Sequence, residues 1–305
     1  MSTPDAPHER STFVPRSTSG RRTAVLLLTC PDARGIVAAV AEFLYRHGAN
    51  IVEVDQHTDH HDGMFFQRVE FELDGFDLGD DEVLPAFREV SDRFGMECEL
   101  RFPEQVQRVA VLASKQPHCL LDLLARHQTG ELVADLAVVA SNHPDHAEAC
   151  AFFGVPYAHL PVEPDGGGKA AQEQRLAALL ERERVDLVVL ARYMQVLSPE
   201  LVARYPHGII NIHHSLLPAF VGARPYHQAY SRGVKVIGAT AHYATAELDQ
   251  GPIVVQDVAR VTHRDSVEDL VARGRDLEAL VLARAVKLHL AAKVLVYGGR
   301  TVVFG

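Results

Sequence analysis

The chain has 305 residues, 47% hydrophobic and 23% charged, with a formal net charge of -10. That length favours two domains, because single cores stop growing near about 250–300 residues. The acidic balance excludes a nucleic-acid-binding surface, which needs clustered Lys and Arg; no apolar run approaches the roughly 20 residues of a membrane span.

Residues 1–22 mix Ser, Thr, Pro and both charge signs and lack the apolar segment of a secretory signal, so a flexible tail is expected there. Cys30, Cys98, Cys119 and Cys150 are far apart and form no C-x-x-C pair, which favours free thiols in a reducing cytoplasm.

Residues 24–28 read as an apolar strand, followed by a turn-rich loop, Thr29-Cys30-Pro31-Asp32-Ala33-Arg34-Gly35. Ile36, Val37, Val40, Phe43 and Leu44 recur at helical spacing, and Gly48 suits the helix end. Residues 50–57 and 64–73 read as strands joined by a hairpin ending in Asp62-Gly63. His57, His60 and His61 cluster there, but no further ligand stands at metal-site spacing, so no metal is expected. A second amphipathic helix over 83–94 and a strand over 96–102 complete βαββαβ, a ferredoxin-like plan. The loop Cys30-Pro31-Asp32-x-x-Gly35-Ile36-Val37, with Gly48-Ala49-Asn50-Ile51 at the next strand, resembles ACT domains. That resemblance implies dimer-like pairing into a homo-oligomer and an amino-acid effector near Asp32, Gly35 and Asn50. Read without it, Gly35 only permits the turn and Asp32 caps the helix.

Residues 103–107 form a short Pro-led linker between a first domain at 23–102 and a second at 108–305. Beyond it, apolar strands over 108–113, 135–140, 155–160 and 185–191 alternate with helical segments over 120–127 and 169–184, and with a helix start at Asn142-His143-Pro144. Strands apolar on both faces and separated by helices predict a mostly parallel, Rossmann-like sheet, with ligands at its carboxyl ends. Strands over 208–212 and 234–243 follow, then a long helix over 266–290 and a small hairpin over 293–304. The fold class is therefore α/β throughout.

The chemistry concentrates in Asn211-Ile212-His213-His214-Ser215, Gly238-Ala-Thr240-Ala-His242 and Leu248-Asp249-Gln250-Gly251-Pro252. Alternation puts Asn211 and His213 on the same side of one strand. Asp249 precedes a tight Gly-Pro turn. An amide, an imidazole and a carboxylate at strand ends can polarise a carbonyl and manage its protons. His214 has two readings, positioning a water or packing on the other side of the strand. His242 would support the site, and Arg224 would bind a carboxylate or hold its loop. A metal held by His213, His214 and Asp249 is disfavoured, because adjacent strand residues point apart.

Asn-x-His-x-Ser-x-Leu-Pro at 211–218, Gly-x-Thr-x-His at 238–242 and Leu-Asp-x-Gly-Pro-Ile at 248–253 resemble the folate-dependent formyltransferases, which use 10-formyltetrahydrofolate. The resemblance implies Asn211, His213 and Asp249 at the active centre. It also implies a pteridine wrapped by Arg192, Met194, Gln195, Val196 and Leu197, with Glu247 among the folate contacts. Transferases of a phosphorylated amine need a Gly-rich cradle after the first strand. Here that loop reads Ser114-Lys115-Gln116-Pro117-His118-Cys119, which lacks Gly. With an ACT-like domain in front, the chain resembles the hydrolytic branch, which passes the formyl group to water and releases formate. No cofactor is then expected beyond the folate substrate. The alternatives are a transferase to an amine, such as glycinamide ribonucleotide, and an amino-acid sensor that binds folate without turnover.

Overall fold

The computed structural model describes residues 22–163, 168–218 and 225–305. The tail expected over 1–22, apart from Arg22, and Arg224 lie outside the described residues.

The first part is built from β1 (Thr23–Pro31), α1 (Ile36–Arg46), β2 (Ile51–Asp59), β3 (Met64–Glu72), α2 (Val83–Phe94) and β4 (Glu97–Arg101). Its antiparallel sheet runs β2-β3-β1-β4. Ile36, Val40, Phe43 and Leu44 of α1 and Val83 and Phe87 of α2 share a core with Leu26, Leu28 and Phe71 of the sheet. Gly35 turns strand into helix at φ 95°, a left-handed backbone that disfavours side chains. No side chain caps α1, so Asp32 does not have that role.

The second part has β5 (Arg108–Ala113), α3 (His118–Gln128), β6 (Asp135–Ser141), α4 (Ala147–Phe152), β7 (Tyr157–His159), α5 (Gly168–Arg182), β8 (Leu187–Ala191), α6 (Pro199–Ala203) and β9 (Ile209–His213). It continues through α7 (Pro225–Ser231), β10 (Val236–Tyr243), β11 (Ile253–Arg260) and α8 (Val267–Leu290). The sheet order is β11-β10-β9-β8-β5-β6-β7. Pairing is parallel from β9 through β7 and antiparallel where β10 meets β9 and β11. Apolar side chains fill both faces: Val109, Val111, Leu187 and Val189 pack with α3 and α8, while Ala110, Leu112, Val188 and Leu190 pack with α5. The α/β fold with a mostly parallel sheet stands as expected.

Some details differ from expectation, among them the short helices α6 and α7, which were not expected, and β7, which is shorter than the strand read over 155–160. α4 starts at Ala147, not at Asn142-His143-Pro144. Ser141 Oγ accepts from His143 N, and Asn142 Oδ1 accepts from Ser114 Oγ, so these side chains tie the strand end to its neighbour instead of opening a helix. β11 was not expected as a strand. It is an edge strand, mostly exposed or half-exposed, so its polar Gln256 and Asp257 break any apolar run.

The C-terminal hairpin, β12 (Val294–Tyr297) and β13 (Arg300–Val303), returns to the first sheet. Phe304 and Tyr297 cover Val25, Leu27 and Phe66 on the face opposite α1 and α2. Phe66 and Tyr297 meet edge to face at 5.3 Å. Arg68 Nε donates to Ala292 O at 3.2 Å, and the buried guanidinium pairs with Glu53 and Glu70. The last residues of the chain thus pack on the first sheet rather than only on the second.

Candidate active site

β9 delivers Asn211 and His213, and β10 returns beside it in a register that sets His242 opposite Asn211 and Thr240 opposite His213. Thr240 Oγ1 donates to Ser215 O and accepts from Leu217 N, while Gln256 Nε2 donates to Leu217 O. These buried cross-strand bonds hold the turn that follows His213. Asp249 sits between β10 and β11 with φ 57°, a conformation that Asp tolerates better than most residues.

The three groups singled out in the sequence converge. Asp249 Oδ2 lies 3.2 Å from His213 Nδ1. Asn211 Nδ2 lies 3.2 Å from His242 Nε2, and His242 Nδ1 lies 3.0 Å from the Tyr243 carbonyl. That carbonyl can only accept, so His242 carries its proton on Nδ1 and its Nε2 accepts from the Asn211 amide. His242 Nε2 to Asp249 Oδ1, at 3.6 Å, is beyond hydrogen-bond range. His213 Nε2 is buried and has no partner. The imidazole is thus fixed by the carboxylate on one nitrogen, and the other is available to a reacting group.

The hydrogen bond from His213 holds the Asp249 carboxyl well below the usual carboxylate range. His214, for which the sequence left two readings, also lines the cleft. Its ring meets His213 edge to face at 5.2 Å and Tyr226 at 6.2 Å. Burial, helped by the Arg192 charge, lowers its pKa to about 4, so it stands neutral at pH 7.

Sequence reasoning missed Glu278. It sits on α8 with only 2% of its side chain exposed, yet it borders the cleft. Tyr226 OH donates to Oε1 at 2.5 Å, His118 Nε2 lies 2.9 Å from Oε2, and Arg192 Nε lies 3.3 Å from the same oxygen. The Arg192 contact is an ion pair without hydrogen-bond alignment. Burial pushes the Glu278 carboxyl up, but His118, Arg192 and Tyr226 outweigh it, and the net direction is down. The sequence signal was an acid in register with the apolar face, one residue after Leu277 and one turn after Gly274. With Cys119, His118 and Glu278 also have metal-like spacing. The fit is poor: Arg192 opposes a cation, both carboxylate oxygens are engaged, and burial pushes the Cys119 thiol up.

The cleft, of about 730 Å³, has Asn211, His213 and Asp249 in its lining. Met194, Gln195, Val196, Leu197, Val202 and residues 244–248, including Glu247, line it too. Met194 and Val196 are 59% and 53% exposed and offer an apolar wall. Met194 N donates to Ser114 Oγ, fixing that segment to β5. Arg192 also lines the cleft, and it pairs with Glu278. His118, Tyr226, Val271 and Glu278 complete the lining that bears on the chemistry.

The three effector candidates are not gathered in one chain. Asp32 N donates to Gly63 O beside the β2–β3 hairpin. Asn50 Nδ2 donates to Glu72 Oε2. Because Pro31 pairs with Met64 and Thr23 with Glu72, Asp32 and Asn50 lie at opposite ends of the sheet.

The two-part architecture has a match in each part: the ACT domain family matches residues 24–92 and the formyl transferase family residues 107–286. The fold and cleft are therefore those of a formyl transferase-type domain joined to an ACT domain. A formyltetrahydrofolate deformylase of Synechocystis is 52% identical over 92% of this chain and 98% of that protein. The crystal structure of a formyltetrahydrofolate deformylase from Pseudomonas syringae superposes with a TM-score of 0.90 at 47% identity, covering 94% of this chain and 96% of that one. A glycinamide ribonucleotide transformylase from Symbiobacterium toebii is more distant, with a TM-score of 0.63 at 33% identity over 68% of this chain and 98% of its own. The chain belongs to the formyltetrahydrofolate deformylase family.

Proposed function

We propose that this protein hydrolyses 10-formyltetrahydrofolate to tetrahydrofolate and formate. The observation that carries the chemistry is the unpartnered His213 Nε2, buried in the cleft and backed through Nδ1 by Asp249 at 3.2 Å. A water oxygen attacks the formyl carbon while Nε2 takes its proton. Negative charge grows on the formyl oxygen. The Asn211 amide gives one N–H to His242 and has a second N–H for that oxygen. Collapse breaks the C–N10 bond, His213 returns the proton to N10, and tetrahydrofolate and formic acid leave, the acid giving its remaining proton to solvent to become formate. Asp249 orients the imidazole and stabilises it when charged, as the third member of a triad does. The reaction as written uses no cofactor.

Several further assignments belong to this reading. The pteridine lies against Met194, Gln195, Val196 and Leu197, where apolar surface borders the cleft. Neutral His214, facing the same space, helps place the water. The ACT domain binds an amino-acid effector between copies of the chain; the separation of Asp32 and Asn50 within one copy is what supports a site that needs two. Among the described residues no helix is long and apolar enough to cross a membrane. The four unbonded cysteines support a reducing compartment such as the cytoplasm.

The test is incubation with 10-formyltetrahydrofolate and no amine, following tetrahydrofolate and formate together. Equimolar release is expected. Turnover only after an amine is added would give the transferase reading instead.

A further inference from the structure

Three parallel strands end in register at the carboxyl edge of the second sheet. Ala113 of β5 pairs with Ala191 of β8 on one side and with Ser141 of β6 on the other. Arg192, Ser114 and Asn142 are therefore the first residues past the edge, side by side. Ser114, the central one, is only 3% exposed and bonds to both flanks. Arg192 takes a left-handed backbone, φ 61°, as the chain leaves β8, and two residues on Met194 N lies 3.0 Å from Ser114 Oγ. A backbone N–H only donates, so the hydroxyl accepts from it and gives its own proton to Asn142 Oδ1 at 2.7 Å. His146 Nε2 donates to the Ser114 carbonyl. Ser114 is thus held at carbonyl and hydroxyl by residues 142–146, and it holds Met194 in turn. Firm anchors flank the segment that follows: Gln172 Nε2 donates to Tyr193 OH at 2.8 Å, and Ser198 N to Glu173 Oε2 at 2.9 Å. Between them, residues 194–197 have no regular secondary structure. Among the described residues, the bond to Ser114 is the one hydrogen bond that they make.

We propose that Ser114 is a positioning residue for the folate: its hydroxyl fixes Met194, and through it the apolar wall of Met194 and Val196 against which the pteridine lies. The inference rests on the folate reading above. The place asks for a small group that accepts from one neighbour and donates to the other at a single buried point. A hydroxyl does both, alanine does neither, and a thiol does so weakly. Without the hydroxyl, Met194 N–H loses its partner and residues 194–197 lose their tie to β5, so the wall is free to move relative to the cleft. Asn211, His213 and Asp249 stand on β9 and on the turn before β11, and Ser114 bonds to none of them. The wall contributes binding and moves no proton, so its displacement weakens the ground and transition states alike and falls on KM. The loop over 114–119, which has no Gly-rich cradle, thus has a task at its first residue.

The experiment uses the full chain, with tetrahydrofolate as the binding probe and formate release as the rate. For Ser114→Ala, the dissociation constant of tetrahydrofolate and KM for 10-formyltetrahydrofolate should both rise about tenfold, the factor that roughly one ordinary hydrogen bond carries. Almost all of the fall in kcat/KM should lie in KM, with kcat within about twofold of wild type. Ser114→Cys keeps nearly the same volume but accepts weakly, and it should behave like Ser114→Ala. Wild-type affinity in Ser114→Cys would mean that the residue only fills space, and would overturn the proposal. A lower melting temperature in both variants with unchanged KM and tetrahydrofolate affinity would overturn it too, as would a loss confined to kcat. If neither variant folds, Asn142→Ala leaves the hydroxyl in place without the acceptor that orients it, and affinity should fall about threefold; unchanged affinity counts against the idea. A wild-type protein that binds no tetrahydrofolate would refute the folate reading, whereas wild-type binding matched by the Ser114 variants refutes the role of Ser114 alone.

Discussion

Gly251 lies so close to Tyr243 that a Cβ on it would come within 1.7 Å of the Tyr243 carbonyl oxygen. The same carbonyl accepts from His242, and Asp249 stands two residues before Gly251. One backbone contact therefore sets both the imidazole that steadies Asn211 and the turn that carries the acid. Gly251→Ala should push the 249–251 turn outward and lose on the order of 100-fold in kcat, the scale expected of misplacing catalytic groups by about 1 Å. Circular dichroism should stay close to wild type. Unchanged kcat with a normal fold would show that the turn does not position Asp249.

Asp249→Asn tests the proton path. The amide can still bond His213 Nδ1, but as a donor it would favour the other tautomer and give no counter-charge. A loss of about 1,000-fold or more in kcat is expected with little change in KM. The same carboxyl also links pH to stability. Its folded pKa is depressed, so its stabilising contribution is present above the unfolded value of about 3.9 and is lost as pH falls through the folded one. Urea midpoints should separate wild type from Asp249→Asn at pH 6 and converge in strong acid. A gap that widens toward low pH would contradict the assigned ionisation.

The extent to which this site could be read in advance depended on what kind of neighbour each residue has. Asn211 and His213 were legible because strand alternation puts them on one side, and Asp249 because Gly251-Pro252 marks a turn. Glu278 was not, because an acid within the apolar face of α8 looks like an interruption until Tyr226, His118 and Arg192, distant in sequence, are brought to it. The βαββαβ and parallel-sheet segments were clear from apolar periodicity. β11 was not, since an edge strand covered on only part of its surface has no such run. The ACT resemblance groups Asp32 and Asn50 at one site, but register within one chain parts them.

His289 supplies a second pH dependence, away from the reacting groups. Burial first, then the charges of Arg101 and His207, lower its pKa from 6.5 to about 4, and its Nδ1 lies 2.8 Å from the Tyr243 hydroxyl. A histidine neutral in the fold and protonated when unfolded costs stability as pH falls below 6.5, and the loss is complete near 4. The slope of stability against pH in that window should be shallower in His289→Gln by up to about 1.4 kcal/mol per pH unit. Parallel curves for wild type and variant would mean that His289 titrates alike in both states.

The C-terminal hairpin gives a prediction about how the two parts of the chain depend on each other. Phe304 is 4% exposed and packs with Val25, Leu27 and Phe66 on the first sheet, although it belongs to the last residues of the chain. Phe304→Ala removes a buried ring and leaves a cavity, at a cost of roughly 3–5 kcal/mol. It touches none of the groups around His213, so formate release by the folded variant should stay within about twofold of wild type at low temperature. Denaturant unfolding should shift to lower concentration, and protease should reach residues of β1 and β3 first. If instead the variant kept wild-type stability, the hairpin would be an appendage and not a cover for the sheet.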